Sequence, residues 1–349
     1  MRAVTVEPGK AGSARLQDIP EPTRPRGHLL VRTLAVGVCG TDLEILNGSI
    51  GKPPPDRSWM VLGHESLGEV LEAPASSGLS RGDWVVGIVR RPDPTPCLNC
   101  GSGEWDMCRN GRYTERGIIS LDGYCSELFT LEAGFAVRVD TRLGLSAVLT
   151  EPCSVLAKAW EQIDRIGTRS HWQPRRVLIT GAGPIGLLAA LLGVERGMDV
   201  HVFDKVPTGN KPELVTDLGA TYHSDDLGAA VAGADIVLEC TGVGSVMRQC
   251  LDGLAPNGIA CLIGFGGGNK PDTTDLGALN RKLVLNNNVV FGTVNANRRH
   301  YQSAVEALLK ADNRWLGRLI SREVPVETWS SALVRQPDDV KPVIVFQKG

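Results

Sequence analysis

Two short stretches carry residue types that hold metal ions. "GVCGTD" at 37–42 presents Cys39, and "VLGHES" at 61–66 presents His64 beside Glu65. Thiolate, imidazole and carboxylate are the usual donors to zinc, and a catalytic zinc keeps one position open for water or substrate. Adjacent His64 and Glu65 could not both face one ion from a regular strand, because successive side chains point to opposite faces. Gly63 offers the irregular backbone that relaxes this constraint. Taken singly, Cys39 reads as a core thiol, His64 as a satisfied core histidine, and Glu151 as a solvated loop carboxylate. Pro152 biases Glu151 toward an extended conformation.

A second chemistry is written in "RVLITGAGPIG" at 176–186. Gly181, Gly183 and Gly186 have the spacing G-x-G-x-x-G between a β-rich stretch and an apolar helix, with Pro184 and Ile185 between the last two glycines. The first glycine permits a tight turn, the second lets a pyrophosphate approach the backbone, and the third lets helix and strand pack closely. The helix N-terminus then offers unpaired N–H groups to the phosphates. Asp204 closes the next strand, "DVHVFD", close to the roughly 20-residue spacing of a ribose-binding carboxylate. Its plain alternative is a strand-terminating turn residue. A carboxylate there repels a 2′-phosphate and points to NAD, while Lys205, directly after it, leaves NADP open. Thr241, Gly264, Phe265, Thr293 and Asn295 lie at later strand ends, in "CTGVG", "GFGGG" and "TVNAN", where ligands of open α/β sheets bind.

These residues need elements to position them. Up to about residue 150, short β-like runs alternate with Gly- and Pro-marked turns; from about 154 strands alternate with helices, as in βαβ units on a parallel sheet. Strands are expected at "RVLIT", "DVHVF", "ADIVLE", "GIACLIG" and "NVVFGT", with a crossover helix over 185–196. A helix through "YQSAVEALLKA" and the apolar "KPVIVFQ" return to the texture of the first part. The domains are therefore 1–153, 154–297 and a C-terminal return over 298–349 that completes the first. A chain of 349 residues exceeds what one core usually organises. Its net charge of −2, without a basic block, argues against nucleic acid and anionic membranes as partners. The apolar run 185–194 is about half a bilayer span. The N-terminus lacks a signal-peptide pattern, which places the nine cysteines in a reducing cytoplasm. Cys125, Cys153, Cys240, Cys250 and Cys261 read as small buried hydrophobes.

Together, "GVCGTD", "GHE" and the glycine motif resemble the medium-chain zinc-dependent alcohol dehydrogenase superfamily over essentially the whole chain. "VCGTDLEILNG", "VLGHE", "YTERGI", the "EP" at 151–152 and "VNANRRHY" are similar to its glucose 1-dehydrogenase branch. The resemblance implies an α/β protein: a GroES-like irregular β-barrel catalytic domain plus a Rossmann doubly wound parallel-sheet nucleotide-binding domain. It implies a catalytic zinc on Cys39, His64 and Glu65, with Glu151 approaching the ion or the substrate hydroxyl. Thr41 would bond the alkoxide oxygen, unless it caps a helix starting near Asp42, and Asp42 would stand behind the ligands or cap the helix. Glu115, Asn295 and His300 would meet sugar hydroxyls; without the resemblance, Glu115 reads equally as an exposed carboxylate beside Arg112 and Arg116. Where the superfamily has four cysteines on a structural zinc, Cys97, Cys100 and Cys108 are present and Pro94 stands in place of the first. Asp93 is the candidate fourth ligand, against an empty lobe. The implied activity is hydride transfer from a sugar ring hydroxyl to NAD(P), glucose to gluconolactone foremost, in a homodimer or homotetramer. Another cyclic polyol or amino sugar, or a non-catalytic NAD-binding sensor, are the alternatives.

Overall fold

The computed structural model describes residues 1–265 and 275–346. The chain divides into two compact units, Met1–Ser154 with Asn295–Gly349, and Val155–Val294.

The first unit is built around the strand His28–Gly37, whose residues alternate between buried and half-buried as period-2 patterning dictates. It pairs antiparallel with Glu65–Glu72, Leu128–Glu132 and the late strand Lys341–Val345. Gly37 stands opposite Glu65 on one side and opposite Val343 on the other. This register brings the end of "AVG", the start of "ESLG" and the start of "KPVIV" to one place. The helix Arg298–Lys310 also belongs here. Among the described residues, the final strand ends at Val345, and Gln347 of the expected run lies outside them.

The second unit holds a six-stranded, all-parallel sheet ordered Thr221–His223, Asp199–Phe203, Arg176–Thr180, Ala234–Glu239, Leu254–Leu262, Val289–Gly292. In chain order this is 3-2-1-4-5-6, the Rossmann arrangement, which reverses direction beside its first strand. The strand Thr221–His223 escaped the sequence reading because it is three residues long and carries no buried apolar side chain. The helix Pro184–Glu195 is buried on all sides through Gly186–Gly193. Its apolar residues include Leu187, Leu188, Leu191 and Leu192, each at most 4% exposed, and each stabilises by about 2 kcal/mol. An all-round apolar helix is tolerated because it lies inside the unit. Of the glycine run expected at 264–268, Gly264 and Phe265 are described and the rest lies outside the described residues.

The helix Thr150–Gly167 carries the chain from the first unit into the second, with Glu151 in its first turn. Glu151 is thus helical, not extended as expected from the proline rule. Pro152 occupies the first turn, where no N–H partner is needed and φ near −65° suits the helix. No helix among the described residues is long and apolar enough to cross a membrane.

Candidate active site

Cys39 ends the loop after His28–Gly37 and N-caps the helix Gly40–Leu46. The Cys39 amide donates to Asp42 Oδ2 at 2.9 Å, so the carboxylate closing this helix start is Asp42, and the alternative of Thr41 as the cap falls away. Gly63 adopts φ +89°, and a Cβ there would come within 2.7 Å of Val36 Cγ1. The left-handed turn breaks the strand between Val61 and Glu65, and so His64 and Glu65 turn toward the same neighbours. Cys39, His64 and Glu65 each offer one donor atom, all within 4.8 Å of one another.

Asp42 lies behind this cluster, its Oδ1 3.4 Å from His64 Nδ1. The carboxylate faces Nδ1 as an ion-pair neighbour and not through a made hydrogen bond, on the side from which carboxylates commonly orient metal-bound histidines. Burial works against a charged His64, but Asp42 and then Cys39 carry its pKa well above the ordinary imidazole value. The pocket therefore favours positive charge, and its donor set fits zinc. Thr41 Oγ1 lies 3.9 Å from Cys39 Sγ, beside the cluster.

Glu65 has a partner that the sequence reading missed. Both its carboxylate oxygens accept from Lys341 Nζ at 2.7 Å, and both side chains are 1% exposed. Lys341 also donates to the Val38 carbonyl at 3.0 Å. Gly37 makes room for the carboxylate, since a Cβ there would lie 2.1 Å from Glu65 Oε2. Glu151 feels the same charges: burial, then Glu65 and Asp42, raise its pKa to about 7 against the opposing pull of His64 and Lys341.

The cysteine lobe brings Cys97, Cys100 and Cys108 into a second donor group within 4.8 Å. The amides of Arg109 and Cys100 draw the Cys97 thiol down to about 6, which suits a metal ligand. Asp93, the candidate fourth ligand, is not among the donors that meet within 4.8 Å. Its carboxylate accepts from the Thr95 amide at 2.8 Å, Asn110 Nδ2 at 2.8 Å and Arg112 Nε at 3.1 Å.

Glu115 and Asn295, 180 residues apart, meet at 2.7 Å, Asn295 Nδ2 donating to Glu115 Oε1. Arg90 Nε donates to the same oxygen at 2.9 Å, with its guanidinium over the Tyr113 ring. Glu115 is 6% exposed, not an exposed carboxylate, and Oε1 is fully used. Asn295 holds φ +62° and closes on the Ala296 amide through its own Oδ1. His300 is buried, and its Nδ1 accepts from the Asn297 amide at 3.2 Å. In the neutral ring this puts the proton on Nε2.

In the second unit Gly181 has φ +86°, and its amide donates to the Phe203 carbonyl at 2.7 Å. Gly183 N-caps the next helix, with Pro184 and Ile185 as its first residues. A Cβ on Gly186 would lie 1.7 Å from the Gly181 carbonyl oxygen, the reason the third position must be glycine. Asp204 Oδ2 accepts from the Ala182 amide at 2.7 Å and Oδ1 from the Val206 amide at 3.1 Å, so the carboxylate is tied to the phosphate turn; Lys205 beside it is exposed. Thr241 and Gly264 stand at neighbouring strand ends, and Phe265 is 79% exposed. Thr293 Oγ1, at the last strand end, is buried without a protein partner. An orphaned hydroxyl, a glycine turn and a helix N-terminus together fit a dinucleotide.

Residues 145–346 match the family model for the glucose dehydrogenase C-terminus, and residues 25–141 match that for the alcohol dehydrogenase GroES-like domain. The chain is 39% identical to glucose 1-dehydrogenase 2 of Vulcanisaeta moutnovskia and 36% identical to glucose 1-dehydrogenase of Methanocella arvoryzae, over 99% of each chain in both cases. The structure of Haloferax mediterranei glucose dehydrogenase in complex with NADP, zinc and gluconolactone superimposes over the full length of both chains, with a TM-score of 0.91 at 30% identity.

Proposed function

Because the chain belongs to the glucose dehydrogenase branch of the medium-chain zinc-dependent alcohol dehydrogenases, we propose that it oxidises the C1 hydroxyl of an aldose, glucose foremost, to the lactone with NAD or NADP. The observation that carries this reading is the convergence of Cys39, His64 and Glu65 donor atoms within 4.8 Å, in a chain that also holds a complete dinucleotide turn. When bound, zinc acidifies the substrate hydroxyl and the nicotinamide ring takes the hydride.

The residues of the chain do the rest. Cys39, His64 and Glu65 would hold the ion, with the Asp42 carboxylate beside His64 Nδ1. Thr41 bonds the reacting oxygen and passes its proton outward; its position beside Cys39 supports this. Glu151, buried and close to the charges of His64, Glu65 and Lys341, is the carboxylate that would exchange a proton with the reacting hydroxyl. With Glu115 Oε1 saturated by Arg90 and Asn295, Oε2 is the oxygen that accepts a sugar hydroxyl, and the resemblance places His300 near the sugar hydroxyls. A site that pairs hydroxyls rejects analogues lacking them, because its buried polar groups are left unsatisfied.

The carboxylate of Asp204 supports NAD over NADP, since a 2′-phosphate would meet its negative charge. The test is a panel of aldoses, amino sugars and cyclitols assayed with each cofactor on zinc-replete protein. Glucose turnover with NAD preferred is expected. Turnover of another ring alcohol alone would transfer the same chemistry to a different substrate. Tight NAD binding without turnover of any sugar would refute the enzyme reading.

A further inference from the structure

Glu239 ends the strand Ala234–Glu239 and is 0% exposed. A carboxylate this deep is retained only with its lone pairs engaged, and its partners here all belong to strand ends of the nucleotide unit. Oε1 accepts from Thr180 Oγ1 at 3.1 Å, from the Thr241 amide at 2.8 Å and from the Thr241 hydroxyl. Oε2 accepts from the Gly242 amide at 3.0 Å. The main-chain carbonyl of Glu239 accepts from the amides of Ile263 and Gly264 at 2.8 and 2.9 Å. One residue thus binds the end of the first strand and the junctions after the fourth and fifth. These junctions also touch directly: a Cβ on Gly264 would lie 2.0 Å from the Gly242 amide nitrogen, and one on Gly181 would lie 3.2 Å from Thr241 Cγ2.

We infer that Glu239 is a positioning residue for the cofactor, holding the 241–242 and 263–264 junctions against the phosphate turn so that they form the wall on the nicotinamide side. This rests on the dinucleotide reading of the second unit. The strand order gives the inference its direction. Asp204, the ribose partner, ends the strand on one side of Arg176–Thr180, whereas Glu239 and both junctions lie on the other side. Loss of Glu239 should therefore damage binding of the nicotinamide half and spare the adenosine half.

The chemistry requires a carboxylate and not merely a polar side chain. Both oxygens of Glu239 act as acceptors, so a glutamine of equal volume must turn an amino group toward either the Gly242 amide or the donors around Oε1. An aspartate is one methylene too short to reach them.

The experiment compares Glu239→Gln with the wild type by titrating NAD, NADH and AMP, alongside steady-state KM and kcat. NAD and NADH should bind about tenfold or more weakly, the cost of a buried donor left unpaired, with KM for NAD rising to match, while AMP affinity stays within about twofold. Thr241→Val should weaken NAD in the same direction and Thr241→Ser should restore it, which keeps the test decisive if Glu239→Gln folds poorly. Equal weakening of AMP and NAD, or unchanged NAD binding in both Glu239→Gln and Thr241→Val, would overturn the positioning role. Wild-type protein that binds neither NAD nor AMP would overturn the dinucleotide reading itself.

Discussion

Glu151 offers a direct measurement of the electrostatics at the metal cluster. In zinc-free protein its carboxyl is pushed up to about 7 from the ordinary value of 4.5, by burial first and then by Glu65 and Asp42. A raised folded-state pKa means the native protein prefers the protonated acid. The associated stability is full below about pH 4.5, declines as pH climbs, and is lost once pH passes about 7. A shift of about 2.5 units at about 1.4 kcal/mol per unit makes the loss roughly 3 kcal/mol. Glu151→Gln keeps the shape and has no proton to lose. Urea unfolding of chelator-treated wild type and Glu151→Gln across this range should therefore give curves that diverge by roughly 3 kcal/mol, the wild type falling relative to the variant as pH rises. His64, Glu65, Asp42 and Lys341 respond to the Glu151 charge, so the difference reads the titration of the buried cluster and not of one carboxyl alone. Zinc binding must displace the Glu151 proton or its influence, so wild-type zinc affinity should also climb more steeply with pH than that of the variant. Parallel unfolding curves would refute the assignment of this charge environment.

Two further predictions follow from the buried pair and the lobe. Lys341→Met leaves Glu65 uncompensated at 1% exposure, and should cost about 3–5 kcal/mol in zinc-free protein; a loss under about 1 kcal/mol in chemical denaturation would show that the pair does not neutralise Glu65. The lobe brings three thiols together, so zinc-replete protein should carry two zincs per chain by native mass spectrometry, of which the lobe zinc leaves first under chelation and disappears selectively in Cys97→Ser. A single zinc in the fully loaded protein, or simultaneous loss of both, would refute the three-thiol site.

The parts legible in the sequence are those whose signal is local. The glycine turn reads correctly because each glycine answers a steric demand within a few residues, from φ +86° at Gly181 to the 1.7 Å approach at Gly186. Gly63 likewise announces its own left-handed turn. The proline rule failed at Glu151 because two local effects compete: Pro152 disfavours a helical predecessor, yet proline is welcome in a first helical turn, and the long helix Thr150–Gly167 decided the outcome. Asn110 and Arg112, close to Asp93 only after folding, hold its carboxylate in the metal-free protein, and no local sequence signal announces them.

Lys341 was illegible for a deeper reason. Residue types announce which atoms can bind a metal, but the charge state of the site depends on what lies beside them, and Lys341 is 276 residues from Glu65. It arrives through the pairing of Val343 with Gly37, while Glu65 arrives through the pairing of the same Gly37 on its other edge. A single glycine in the central strand therefore sets both partners and leaves the space in which the carboxylate lies. This geometry makes the lysine part of the electrostatics of the candidate metal cluster: without an ion, Lys341 supplies the positive charge that keeps Glu65 tolerable in the interior. Were Glu65 to ligate an ion, the same carboxylate would divide its lone pairs between metal and ammonium. Substituting Gly37 by alanine would place a methyl 2.1 Å from Glu65 Oε2, disturbing the metal donor and its lysine together.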